Sequence, residues 1–167
     1  MPELIIPAVA LLVYAALHDL AVRTVPNWLS VAVLTIGVVL RILDHSLLLA
    51  AIMALVSFLA LFAIWMAGAM GGGDVKLWAA SVLLIPPYWR VELNFFLYVV
   101  LFGGGLAVLY LLLSLVVPHR KLSRGGGWLR RFARAELWRI GRRGPLPYAC
   151  AISGGALVIL MPQIFKP

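Results

Sequence analysis

The chain has 167 residues, of which 64% are hydrophobic and 12% charged, with a formal net charge of +8 and a mean hydropathy of +1.06. Soluble domains carry about 45–50% apolar and about 25% charged residues, so this composition excludes a soluble globular domain, a disordered tail and a fibrous protein. A single cysteine, Cys150, excludes an internal disulfide framework and any CxxC metal site.

The apolar runs are continuous rather than alternating, which favours helices over a membrane barrel. About 20 apolar residues cross the hydrocarbon core, and the chain has room for six such runs. They are expected at 4–18, 28–43, 46–70, 75–89, 93–117 and 146–164. Met1-Pro2-Glu3 provides no positive start for a signal peptide, so the first run is read as a retained span. The fold expected is all-α: one polytopic transmembrane domain over 1–167, with no internal repeat.

Six spans put both termini on one side. Arg23, Lys76 and nine basic residues between Arg120 and Arg143 then share one face, against Arg41, Arg90 and Lys166 on the other. The positive-inside rule makes the first face cytoplasmic and leaves both termini outside. Trp28, Trp78, Tyr88 and Trp89 fall near span ends, where interfacial aromatics belong. The one sizeable polar segment is 118–145. Within it Leu129, Phe132, Ala133, Leu137 and Ile140 share a helical face, with Arg130, Arg131 and Arg134 largely opposite. This reads as a short basic amphipathic helix on the anionic leaflet; an ordinary positive-inside loop is the competing reading. Nucleic acid is not an expected partner, because almost no soluble surface remains to hold it.

Among six acidic residues, Glu3, Asp44, Glu92 and Glu136 are expected to be simply solvated. Asp19 and Asp74 differ. Each lies where a span meets the cytoplasmic face, so two carboxylates reach the same side at similar depth. Ionisable groups at membrane depth are functional candidates by default. A carboxylate pair can share a proton and work as acid and base, which is the equipment of an aspartic hydrolase. No cofactor or metal is needed, and His18, His45 and His119 have no zinc-site spacing. His18 reads as interfacial. Gly71-Gly72-Gly73 precedes Asp74 and is expected to let the backbone unwind beside a peptide site. Lys76 and Arg23 either support the dyad or are positive-inside cations, and Pro26-Asn27 starts the second helix. Two other readings stay open: a small proton- or ion-coupled transporter using the same aspartates, and a non-catalytic scaffold that tolerates their replacement.

Three blocks narrow this. Asp19-Leu20-Ala21-Val22-Arg23-Thr24-Val25-Pro26-Asn27 resembles the D-x3-R-x-[IV]-P-N motif of type IV prepilin peptidases. Gly71-Gly72-Gly73-Asp74-Val75-Lys76-Leu77 resembles their GxGDxKL motif. The stretch from Gly144 to Gly155, with Pro147-Tyr148-Ala149 inside it, resembles their last span. The blocks occur in family order, and the resemblance is closest to the short branch serving Flp-type (tight adherence) pili. It implies a GxGD-type intramembrane aspartic endopeptidase of the bacterial inner membrane. Such an enzyme removes the basic cytoplasmic leader of a prepilin or pseudopilin after a glycine. It also implies that Asp19 and Asp74 are catalytic and that Gly71, Gly73, Lys76, Arg23, Pro26 and Asn27 support the site. The expected partners are the prepilin and the lipid bilayer, with pilus assembly machinery a further candidate. Larger members carry a cytoplasmic methyltransferase domain with paired CxxC motifs; no such insertion is present here, so methylation is not assigned.

The basic segment yields one expectation of its own. Neutralising Arg130, Arg131 and Arg134 together should make this loop more accessible to a water-soluble label in anionic vesicles. Unchanged accessibility would mean that it does not lie on the lipid.

Overall fold

The computed structural model describes residues 2–116 and 146–165. The expected basic helix at 128–140 and the rest of the loop at 118–145 lie outside the described residues. Six helices are described: α1 (Pro2–Val22), α2 (Asn27–Leu43), α3 (Leu47–Met66), α4 (Gly72–Leu84), α5 (Trp89–Val116) and α6 (Tyr148–Ile164). They follow the six expected runs in order, and the all-helical fold is as expected. Three of them, over Glu3–Val22, Leu47–Met66 and Trp89–Leu115, are long and apolar enough to cross a membrane. The other three are shorter: α2 and α6 have 17 residues each and α4 has 13. Thirteen residues make a helix roughly 20 Å long, short of a hydrocarbon core of about 30 Å.

The termini of these helices follow from local chemistry. α1 ends with Arg23 in the left-handed region, φ 63°, and the Arg23 amide closes the last turn on the Asp19 carbonyl at 2.8 Å. This is the single-bond left-handed cap, in which the residue four after the carbonyl takes positive φ. α3 stops at Met66, short of the expected 70. Gly68 takes φ 76°, its amide bonds the Trp65 carbonyl, and the Ala69 amide bonds that of Ile64. That pair of bonds is a Schellman cap, and glycine adopts the required backbone without a Cβ penalty. α4 ends before Pro86-Pro87, which cannot continue a helix.

α4 and α6 form the middle of the bundle. α4 packs on α2, α3 and α6, while α6 packs on α1 and α5. Leu77, Val82 and Leu84 of α4 are buried with Ile152, Ala156 and Leu160 of α6, and with Leu12 and Leu29 from α1 and α2. α3 and α5 flank this core and turn large apolar side chains outward, Leu48 and Leu115 among them. Outward apolar surface is what a lipid solvent requires. Small residues set the closest approaches, as in membrane helix pairs generally. A Cβ on Gly37 would lie 2.7 Å from the Leu83 Cβ, and one on Gly155 would lie 2.8 Å from the Val99 Cγ2 and 3.1 Å from its amide nitrogen.

Three expectations need correction. Trp78 is not interfacial: it is 7% exposed and meets the Phe95 ring edge-on at 5.9 Å, because its position on α4 faces the core rather than the lipid. Glu92 is not simply solvated. It lies in the first turn of α5, half-buried, and its Oε1 is buried without a hydrogen-bond partner. Asp44 pairs with the buried Arg41 at 2.5 Å, and Arg41 also donates to the Leu84 carbonyl at 3.4 Å. That carbonyl belongs to the last turn of α4, so Arg41 serves a helix end that would otherwise leave orphan acceptors in apolar surroundings.

Gly155→Val should lower the melting temperature in detergent, at a cost of about 1–3 kcal/mol for overpacking. A Cβ on Gly104 would meet nothing within 4 Å, so Gly104→Ala should stay within about 1 kcal/mol of wild type. Equal melting of the two variants would contradict the α5–α6 contact.

Candidate active site

Asp19 and Asp74 come from opposite directions. Asp19 lies in the last turn of α1 and Asp74 in the first turn of α4. The two carboxylates are close enough to interact electrostatically. Asp19 is 4% exposed, and its Oδ2 accepts a hydrogen bond from the Ala149 amide at 3.1 Å. Ala149 is the second residue of α6, so a side chain from α1 satisfies an amide at the start of another helix. Pro147 and Tyr148 make this possible. Proline is well tolerated at a helix start because its missing N–H would have no partner there, and the Tyr148 amide turns back onto the Leu146 carbonyl at 3.0 Å. The Cys150 thiol then reaches the Ala16 carbonyl at 3.2 Å, fixing α1 alongside α6.

Asp74 is partly exposed, with its Oδ1 buried and without a hydrogen-bond partner. The glycines before it are not unwound as expected. Gly72 and Gly73 belong to the first turn of α4, and the Gly71 carbonyl accepts from the Asp74 and Val75 amides at 3.1 and 3.2 Å. The glycines serve close approach. A Cβ on Gly71 would lie 2.8 Å from the Asp74 Oδ2, and one on Gly73 would lie 3.2 Å from the Val25 Cβ and 3.3 Å from the Val25 carbonyl oxygen. Gly73 is thus where the first turn of α4 meets the α1–α2 turn, bringing the two aspartate motifs together.

The other candidate residues divide. Lys76 and Asn27 are joined, the Lys76 Nζ donating to the Asn27 Oδ1 at 3.1 Å. Pro26 supplies the extended residue before α2, φ −63° and ψ 138°. Arg23 points elsewhere: its guanidinium donates to the Tyr110 hydroxyl at 2.8 Å and lies over that ring, tying the end of α1 to α5. His18 is half-buried, with its Nδ1 2.8 Å from the Thr24 carbonyl. Two partners are not foreseen from the sequence. One is the Ala149 amide, a backbone group; the other is Tyr110, 87 residues from Arg23. The only signal for the first is the Pro147-Tyr148-Ala149 run. Among the described residues no group of three His, Cys, Asp or Glu side chains converges.

The contact between the two turns can be tested directly. In a Cys150→Ser background, Val25→Cys with Gly73→Cys should form a disulfide under mild oxidation, read as a mobility shift on a non-reducing gel. The 3.2 Å Cβ separation is within a few tenths of the range of about 3.5–4.5 Å that disulfides need. Absence of the cross-link in the folded protein would contradict the juxtaposition.

The sequence model of the type IV leader peptidase family matches residues 6–117, a stretch that contains both Asp19 and Asp74. No curated protein and no solved structure matches the chain. The matched stretch is about two thirds of the sequence. With its buried carboxylate, the apposed turns and the apolar helices of a membrane protein, the chain belongs to the type IV leader peptidase family, whose general activity is proteolysis of prepilin-type leaders.

Proposed function

We propose that this chain is an aspartic endopeptidase that cleaves a prepilin leader with Asp19 and Asp74 as its catalytic pair. The observation that carries the reading is that two carboxylates lie within electrostatic range of each other, one held by the start of α6 and one in the first turn of α4. One carboxylate takes a proton from a water molecule, and the water oxygen adds to the scissile carbonyl carbon. The other, protonated, donates to the carbonyl oxygen. Collapse of the tetrahedral adduct breaks the C–N bond as a proton passes to the departing nitrogen. The products are a leader ending in a carboxylate and a pilin with a new amino terminus.

The remaining assignments belong to the same proposal. Gly73 permits the approach of the two turns, Gly71 leaves room for the Asp74 carboxylate of its own turn, and Lys76 with Asn27 clamps the two turns together. Pro26 starts α2 at the right place, and Arg23 fixes the end of α1. The basic excess on the dyad side orients the site to the cytoplasm, in the bacterial inner membrane, with both termini outside. The substrate is of the Flp type, by the resemblance of the three motifs. A carrier reading gains no separate observation.

Co-expression with an Flp-type prepilin, followed on a gel, tests this. Wild type should shorten the prepilin, while Asp19→Asn and Asp74→Asn, inserted to normal levels, should leave it uncut. Asp→Glu at either position should lose about 100-fold or more, because a displacement of about 1 Å costs that much. The rate should fall at both pH extremes, since the pair works with one shared proton and fails with two or none. A well-inserted Asp→Asn variant that still cuts would remove that aspartate from the mechanism.

A further inference from the structure

A second site lies on the other side of α4. A groove of about 520 Å³ runs between α2, α3 and α4, lined by Val31 and Leu34, by Leu55 and Phe58, and by Lys76 and Leu83. Successive helix residues are turned by about 100°, so Lys76, Ala79, Ala80 and Leu83 share one stripe of α4 while Asp74 falls about 200° from Lys76. The groove therefore lies beside the carboxylate pair without including it, and shares with that site the Lys76–Asn27 clamp. It opens sideways, for Val31, Leu34 and Leu55 are 61%, 44% and 57% exposed. In a membrane protein that opening faces lipid.

The lining changes character with depth. At the dyad end stand the Lys76 ammonium and the Asn27 amide, bonded to each other and exposed. Asn27 uses its oxygen in that bond, and the ammonium has donors to spare. One turn deeper, about 4.5 Å along α2, Ser30 lines the groove. It is 6% exposed and its Oγ has no hydrogen-bond partner. A buried hydroxyl without a partner costs free energy, and such a group in a native structure calls for an absent one. Below Ser30 every lining residue is apolar: Val31, Leu34, Leu55, Phe58 and Leu83 with three alanines. Cation and amide, then a single hydroxyl donor, then hydrocarbon is the complement of phosphate, ester carbonyl and acyl chain. A transmembrane peptide helix offers no free carbonyl at that depth, since its backbone acceptors are used internally.

We propose that this groove binds one phospholipid of the leaflet on the dyad side. Its phosphate sits at Lys76 and Asn27, an ester carbonyl accepts from the Ser30 hydroxyl once that group, covered in this structure, turns toward the groove, and one acyl chain lies along Leu34, Leu55 and Phe58.

The test uses the full chain in detergent, stripped of lipid and titrated with dioleoylphosphatidylglycerol while bound lipid is counted by native mass spectrometry. Wild type should retain one phospholipid per chain. Val31→Phe and Ala79→Phe, which fill the groove, should retain none; Val31 is exposed, so at least that variant should fold and melt as wild type. Lys76→Gln should weaken retention about tenfold, as loss of one charge-assisted contact does, and Ser30→Ala should weaken it less. Dioleoylglycerol, which lacks the phosphate, should bind at least about tenfold more weakly than the phospholipid. Unchanged stoichiometry in the folded Val31→Phe variant would overturn the site, and equal binding of dioleoylglycerol would overturn the headgroup assignment. A photo-crosslinking residue at position 34 should capture lipid in co-expressing membranes; capture of the prepilin instead would make the groove a substrate site and the lipid reading wrong.

Discussion

The Asp19 carboxylate buried against the Ala149 amide is the constraint around which the bundle is arranged. A carboxyl group cannot be withdrawn from water without donors, and at this depth only backbone amides at a helix start are available in quantity. Meeting that requirement brings the C-terminal end of α1 to the N-terminal end of α6, across 130 residues of sequence. Asp74 stands in the first turn of its own helix, where the helix dipole favours a carboxylate, but its buried Oδ1 has no hydrogen-bond partner. Two helix starts and one helix end thus converge on one small volume. Held at the start of α6, Asp19 lies within electrostatic range of Asp74 at the start of α4.

The glycine residues set how tightly that convergence is made. A Cβ at Gly73 would push against the backbone of Val25, and one at Gly71 against the Asp74 carboxylate itself. Elsewhere in the bundle Gly37 and Gly155 do the same for α2–α4 and α5–α6. In lipid the gain from association comes from packing and polar contacts rather than from exclusion of water. Close approach at Gly37, Gly73 and Gly155 therefore contributes to the cohesion of so apolar a chain.

Much of this is legible in the sequence, and the limits are physical. Continuous apolar runs give helices, and span parity puts Asp19 and Asp74 on one face. The D-x3-R spacing turns out to match a left-handed cap, with the Asp19 carbonyl receiving the Arg23 amide. Composition cannot say which way a helical tryptophan faces, so Trp78 reads as interfacial and proves to be core. Three consecutive glycines suggest an unwound segment, yet the Gly71 carbonyl gathers the Asp74 and Val75 amides and winds the last two into a turn. Arg41 reads only as a cation of the outer face, because one of its partners, the Leu84 carbonyl, is 43 residues away. The Ala149 amide is invisible to any reading of residue types.

The shortness of α4 connects these details. At 13 residues it is roughly 20 Å long, so it cannot carry both of its ends out of a hydrocarbon core of about 30 Å. Its unpaired amides at one end and carbonyls at the other must then find partners inside the protein. At the far end Arg41 supplies the donor, itself balanced by Asp44 and lying within electrostatic range of Glu92. At the near end the Gly71 carbonyl takes the Asp74 and Val75 amides, in the turn that carries Asp74. These two polar clusters are thus the two ends of one short helix. A long α4 would carry Asp74 out toward the aqueous phase, where a carboxylate is an ordinary surface group. A short one keeps it partly buried, within electrostatic range of Asp19.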